Sequence, residues 1–296
     1  MVWLLDELPV YELDEHGKRK KTDGYSVFVL AQLDWSDPAN PGALRLRLVR
    51  ALPKNTSPAW RLLFAEVGGR PDMIVSDAAT PILSAVRKHW PAAPPLAVPS
   101  TWHMVQALSN NALKRPVRGY TPETAALRAH LFSLGRDHPG LSSVAGWSAW
   151  WDELERLALA TGRVSIGDLR TSRANYEGRM AAALPLLLAD PRLPISTGGL
   201  EASMRAAVGD ILHHREQHFG NIERTNSLLD LAVCRSLGLL SDLNEVAARI
   251  EADEVPHGGW TVPLRAIADP LPRVGAYRSL RDEAGMNAVA EERGLL

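Results

Sequence analysis

A chain of 296 residues, 46% apolar and 23% charged, is long enough to bury one large core or two ordinary ones. Its single cysteine, Cys234, excludes an internal disulfide and a cysteine-based zinc site, and no apolar run approaches the roughly 18 residues of a spanning helix. The N-terminus, MVWLLDELPVYELDEHGK, lacks the basic start and long apolar stretch of a signal peptide, so a cytoplasmic protein is expected.

Net charge is −1, unevenly distributed. Residues 1–100 carry 12 Lys/Arg against 11 Asp/Glu, while residues 241–296 carry 6 against 10. An acidic tail therefore masks basic patches such as Lys114, Arg115 and Arg118, and overall charge decides nothing about nucleic acid.

In chain order, residues 2–5 (VWLL) form a short buried-strand pattern that runs into Asp6. The polar stretch 14–23 (DEHGKRKKTD) reads as a solvated turn, and 25–33 (YSVFVLAQL) is rich in β-formers. In 43–52, leucines alternate with arginines, which predicts a half-buried strand. Thr56-Ser57-Pro58 starts a helix that ends at Gly68-Gly69, and Met73-Ile74-Val75 is an apolar strand ending at Ser76-Asp77. A helix from about Pro81 to Trp90 and a strand at Leu96-Ala97-Val98 come next. The order β-β-β-α-β-α-β is that of a ribonuclease-H-like mixed sheet. Residues 102–196 read helical throughout, helices are expected over 200–214, 226–240 and 243–252, and the last forty residues are loop-rich.

Asp77 ends an apolar strand and precedes a helix, where ligands of α/β sheets gather; a helix-capping aspartate is an equally good reading. Asp6 interrupts a buried strand, which is expensive unless the charge is paired or metal-bound, and the competing reading is a frayed terminus with solvated acids. Glu7 would face the other side of that strand, and Asp34, ending the second strand, competes with Asp6. Glu201 lies in the first turn of a helix after Gly198-Gly199, where the helix dipole also favours an acid. Around it, Arg205, His213, His214, Arg215 and His218 could place cations near a phosphate. No HExxH, GxSxG, P-loop or GxGxxG pattern is present, which argues against zincin, α/β-hydrolase, NTPase and dehydrogenase chemistry.

The segment PDMIVSDAATPILSAVRKHWPAAPPLAVPSTWHMVQAL resembles the middle of the catalytic domain of Mutator-like and related bacterial insertion-sequence transposases of the DDE type. There an aspartate ends a strand, a helix and a second strand come after it, and then a (C/D)xxH motif, read here as Ser100-Thr101-Trp102-His103 with Ser in the Cys/Asp place. STGGLEASMR (196–205) is similar to that family's TNGxxE helix start, and HFGNIERTNSLLDL (218–231) to the stretch downstream of the family's glutamate. The resemblance covers roughly residues 1–240. It implies a catalytic and metal-binding triad of Asp6, Asp77 and Glu201 around two Mg²⁺ or Mn²⁺ ions, with separations of 77 − 6 = 71 and 201 − 77 = 124 residues. The longer gap suits an all-helical insertion between the fifth strand and the helix carrying the glutamate.

The expected organisation is therefore a ribonuclease-H-like core over 1–103, a helical insertion over 104–196, the rest of the core over 197–240 and a C-terminal tail over 241–296. DNA is the implied partner, contacted by His103, Lys114, Arg115, Arg205 and Arg215, and the active complex is expected to be a homodimer. Family members carry an N-terminal end-recognition region, and the chain begins almost on the first catalytic strand, so a truncated or inactive copy is expected. Two alternatives stay open: a nuclease of the same fold, and a domesticated, catalytically inactive DNA-binding or interaction protein.

Overall fold

The structure, a computed structural model, describes residues 1–13, 19–36, 38–112, 122–161, 166–204 and 222–236. It is α/β, with strands β1 (Val2–Leu13), β2 (Arg19–Asp34), β3 (Ala43–Leu52), β4 (Met73–Ser76) and β5 (Leu96–Pro99) in one mixed sheet of order β3-β2-β1-β4-β5. β1 pairs β4 and β4 pairs β5, both parallel. Parallel neighbours need a crossover between them, and helices α1 (Ser57–Val67) and α2 (Thr80–His89) lie in those connections.

Local chemistry explains the boundaries. Thr56 caps α1, its hydroxyl accepting from the Ala59 N–H at 3.3 Å, and Pro58 occupies the first turn, where no amide donor is needed. Gly68 closes the helix at φ 71°, a conformation that a side chain would strain, while its N–H bonds the Phe64 carbonyl at 3.0 Å. α1 buries Ala59, Trp60, Leu63 and Phe64. Trp3 of β1 is fully buried, its ring centroid 6.2 Å from that of Phe64 and 5.9 Å from that of Trp90, so β1 is gripped from the α1–α2 side. Strand alternation then puts Val2, Leu4 and Asp6 on the opposite face.

One expectation fails here. Residues 19–23, read as a solvated turn, are the beginning of β2, and β1 continues to Leu13. Apolar patterning detects strands that bury a face, whereas a ladder needs only backbone donors and acceptors, so a polar ribbon escapes it.

After β5 the described residues up to 196 contain no strand. They form α3 (Thr101–Ala107), a π-helical turn (Leu108–Ala112), α4 (Pro122–Phe132), a 3₁₀ turn (Pro139–Leu141), α5 (Val144–Thr161) and α6 (Ile166–Ala189). Trp147, Trp150 and Trp151 of α5 are buried, and the Trp147 indole donates to the Glu177 carbonyl of α6 at 3.0 Å. Arg173 of α6 reaches Glu177 at 2.7 Å and Asp152 of α5 at 2.7 Å, and together these fix the α5–α6 packing. α6 in turn packs against β5. Two further helices are α7 (Gly198–Met204) and α8 (Ile222–Ser236). The rest of the helix expected over 200–214, the helix over 243–252 and the tail over 241–296 lie outside the described residues.

The chain divides into two compact units, one of Met1–Asp6, Ala31–Leu44 and Thr56–Leu200, the other of Glu7–Leu30, Arg45–Asn55 and Glu201–Leu296. Within the second, the Asn226 amide of α8 pairs with the Ala51 backbone of β3, accepting at 2.7 Å and donating at 3.2 Å, and Arg50 pairs with Asp230 beside it. Among the described residues no helix is long and apolar enough to cross a membrane.

Candidate active site

Two sequence-predicted acids lie in or just after a pair of parallel strands. β1 and β4 pair as Val2↔Met73, Trp3↔Ile74 and Leu4↔Val75, an offset of 73 − 2 = 71. Asp6 lies two residues beyond the last of these pairs in β1, and Asp77 immediately follows β4. β4 and β5 pair with an offset of 99 − 76 = 23. Residues in register on parallel strands share a face, and adjacent strands are about 4.8 Å apart. The paired residues end at Leu4↔Val75 and Ser76↔Pro99; Asp6 lies within β1 two residues past the first of these, and Asp77 and Ser100 each follow the carboxyl end of their own strand, where ligands of open α/β sheets collect.

Asp6 is 8% exposed, a buried carboxylate. Facing it is His103, in the first turn of α3, with Nε2 3.6 Å from Asp6 Oδ1. That nitrogen is shielded from solvent and makes no hydrogen bond among the described residues. The imidazole is placed by Ser100, which is fully buried, caps α3 toward the His103 N–H at 3.5 Å, and accepts from the Thr197 N–H at 3.1 Å. Thr101 adds a bond from its N–H to the Ile195 carbonyl at 2.9 Å. Residues 195–197 are thereby tied to the start of α3. Ser100, standing where the resembling family has Cys or Asp, works here as a buried hydrogen-bonding post.

Asp77 is half-buried, and its Oδ1 accepts from the Ala79 N–H at 2.8 Å. Ser76 Oγ accepts from the Ala78 N–H at 3.1 Å, and the Ser76 carbonyl accepts from the Ser100 N–H at 2.6 Å. Ala78 between them sits at φ 59°, left-handed for a residue with a side chain, an arrangement of order 1 kcal/mol uphill. The capping reading of Asp77 is thus realised for one oxygen, and the strained turn holds its backbone.

Sequence reading missed Tyr176. This half-buried residue of α6 is held above the ordinary phenol range first by burial and then by the charge of Asp77, with Arg179 pulling the other way. Arg179 itself is lowered by burial and by the like charge of Arg87. No local motif marks Tyr176, whose helix α6 packs against β5.

The remaining candidates separate. Glu201 is half-buried in the first turn of α7 and belongs to the second unit. Glu7, also of the second unit, accepts from the Asn55 amide at 2.9 Å. Asp34 organises the turn after β2: its Oδ1 accepts from the Ser36 N–H at 2.9 Å and hydroxyl at 2.6 Å, and its carbonyl from the Gly42 N–H at 2.7 Å. Gly42 is needed there, since at φ 80° an added Cβ would lie 3.0 Å from the Trp35 ring. Lys114, Arg115, Arg205 and Arg215, together with Arg118, His213, His214 and His218, lie outside the described residues.

Among the described residues no three His, Cys, Asp or Glu side chains form a metal-sized group. The donors that fit a hard or borderline cation are the buried Asp6 carboxylate and the His103 nitrogen that faces it. Ions of this kind commonly complete their shells with water and substrate phosphate.

No family model and no curated protein matches the chain.

Proposed function

We propose that the chain is the catalytic core of a metal-dependent DNA transposase of ribonuclease-H-like fold, cutting DNA and joining 3′ ends by phosphoryl transfer, as a homodimer. The observation that supports this reading is the parallel pairing of β1 with β4, whose Val2↔Met73 register has the same offset of 71 as the sequence separation of Asp6 and Asp77. The strand order, the helical stretch between β5 and α7, and the motif resemblance of residues 71–108 and 196–231 support it.

Two divalent Mg²⁺ or Mn²⁺ ions, when bound, would activate the attacking oxygen and stabilise the leaving one. Asp6, within β1, and Asp77, just after β4, would hold them, with Glu201 as the third acid that the motif resemblance implies. The turn 76–79 orients Asp77 by hydrogen bonding one of its oxygens and leaving the other for a cation. Arg87 and Arg179, two cations near one another, would meet the DNA backbone. Such contacts carry little sequence information, so binding to random duplex should fall steeply between low and physiological salt.

The test is nicking of supercoiled plasmid by the purified chain with Mg²⁺ or Mn²⁺ and with excess chelator. Nicking that requires the ion supports the reading; DNA binding without cutting under every ion condition would favour an inactive, domesticated binding protein instead.

A further inference from the structure

The environment of His103 bears on which ion the site takes, and the inference rests on the metal-dependent reading just given. His103 Nε2 is enclosed by protein, makes no hydrogen bond among the described residues, and lies 3.6 Å from Asp6 Oδ1. N–H···O bonds centre near 2.9–3.0 Å, so this gap is too long for one. A buried ring nitrogen left without a partner costs about 1–3 kcal/mol, and such positions call for a function.

A shared cation accounts for the spacing. Two donors about 2.1 Å from one ion lie about 3.0 Å apart at a right angle and about 3.4 Å apart at the tetrahedral angle. The observed 3.6 Å is within a few tenths of that range. Neither partner has to travel far, because Asp6 is fixed in a strand and His103 is held by the Ser100 cap. The Asp6 carboxylate has other interactions as well, and the inference concerns the nitrogen that faces it.

We infer that His103 Nε2 and Asp6 Oδ1 are two ligands of one divalent transition ion, so that the site prefers Mn²⁺, Co²⁺ or Zn²⁺ to Mg²⁺. Magnesium demands hard oxygen ligands in near-ideal octahedral geometry, whereas an imidazole nitrogen is a good ligand for later first-row ions. The remaining positions belong to water and, during reaction, to phosphate oxygens. His103 is then a metal ligand and not a direct contact to DNA.

The experiment uses the full chain with Mn²⁺ and pulsed electron paramagnetic resonance, which detects nitrogen directly bonded to the ion. The wild type should show an imidazole nitrogen coupling, His103→Gln should lose it and bind Mn²⁺ at least tenfold more weakly, and Asp6→Asn should weaken binding similarly. Melting curves of both variants, taken without metal, separate lost ligation from lost folding. Mn²⁺ bound with no nitrogen coupling, or a coupling that survives in His103→Gln, overturns the inference. If metal-dependent nicking persists in that case, the transposase-core reading stands without it. If no divalent ion binds at all, both fall.

Discussion

Ser100 and Thr197, 97 residues apart, are joined inside the protein: the Thr197 N–H donates to Ser100 Oγ at 3.1 Å, and the Thr197 hydroxyl donates to the same oxygen at 3.3 Å. Both residues are fully buried. Ser100→Ala leaves the Thr197 N–H without its acceptor and removes the α3 cap, a loss of about 1–3 kcal/mol. At roughly 2–4 °C per kcal/mol for a domain of this size, the melting temperature should fall by about 2–12 °C. Ser100→Thr, which keeps the hydroxyl, should lose less. Thermal melts of the two variants decide it, and an unchanged melt in Ser100→Ala would show that the post contributes nothing to stability.

The left-handed Ala78 gives a prediction with opposite signs for two substitutions. Ala78→Gly removes the steric penalty at φ 59° and should leave stability unchanged or slightly raised. Ala78→Val adds a β-branch to the same conformation and should cost more than about 1 kcal/mol. Urea denaturation midpoints compare them directly. Equal effects of the two would mean that the turn relaxes in solution.

His138 provides an acid-sensitive joint. Its Nδ1 accepts from the Gly140 N–H at 2.9 Å, capping the 3₁₀ turn, and its pKa is lowered by burial and by His130. A folded value below the unfolded one means that stability is present above the unfolded pKa, near 6.5, and is lost as pH falls through the folded value. Protonated Nδ1 cannot accept a bond, so the sign and the geometry agree. His138→Asn, which can cap without titrating, should flatten the decline of melting temperature below about pH 6.5. His89, lowered mainly by burial, will leave a residual slope.

Tyr176 acts at the other end of the pH scale. Its folded pKa is raised above about 10, so its contribution is complete below that pH and is lost as pH rises through the folded value. Tyr176→Phe should reduce the alkaline loss of stability, leaving the part due to Tyr25, which is also raised by burial. A pH-jump melting series on the two proteins is the check, and identical alkaline limbs would contradict a buried phenol held above its ordinary range.

How much of this was legible in the sequence depends on the range of the interaction. β3 at Ala43–Leu52, α1 with its Thr56 cap and Gly68 stop, β4 and β5 all emerge from local periodicity and end signals. The polar start of β2 at Arg19 was hidden because its side chains carry no burial signal. Asp6 was legible as a charge inside an apolar strand, and Asp77 as an acid at a strand end. The β1–β4 register was not, because register is fixed by pairing between strands, nor was the burial of Tyr176, which depends on the docking of an entire helix. Ser100 looked like a departure from a motif, and its role emerges only when Thr197 stands beside it. Asp34 had the same local signature as Asp6, but a two-residue turn to Ser36 engages its carboxylate.

The central proposal is that Asp6 and Asp77 serve metal-dependent cutting, with Glu201 as the third acid that the motif resemblance implies, and that Asp34 does not. The direct measurement is the single-turnover rate of Mn²⁺-dependent DNA nicking by the wild type, Asp6→Asn, Asp77→Asn, Glu201→Gln and Asp34→Asn, each checked for folding by its melting curve. Metal stabilisation of transition-state charge is worth several kcal/mol, and each 1.36 kcal/mol is tenfold in rate, so the first three variants should lose at least about a hundredfold. Asp34→Asn should cut at close to the wild-type rate. A folded Asp77→Asn protein that nicks as fast as the wild type, or an Asp34→Asn protein that is folded and inactive, would contradict it.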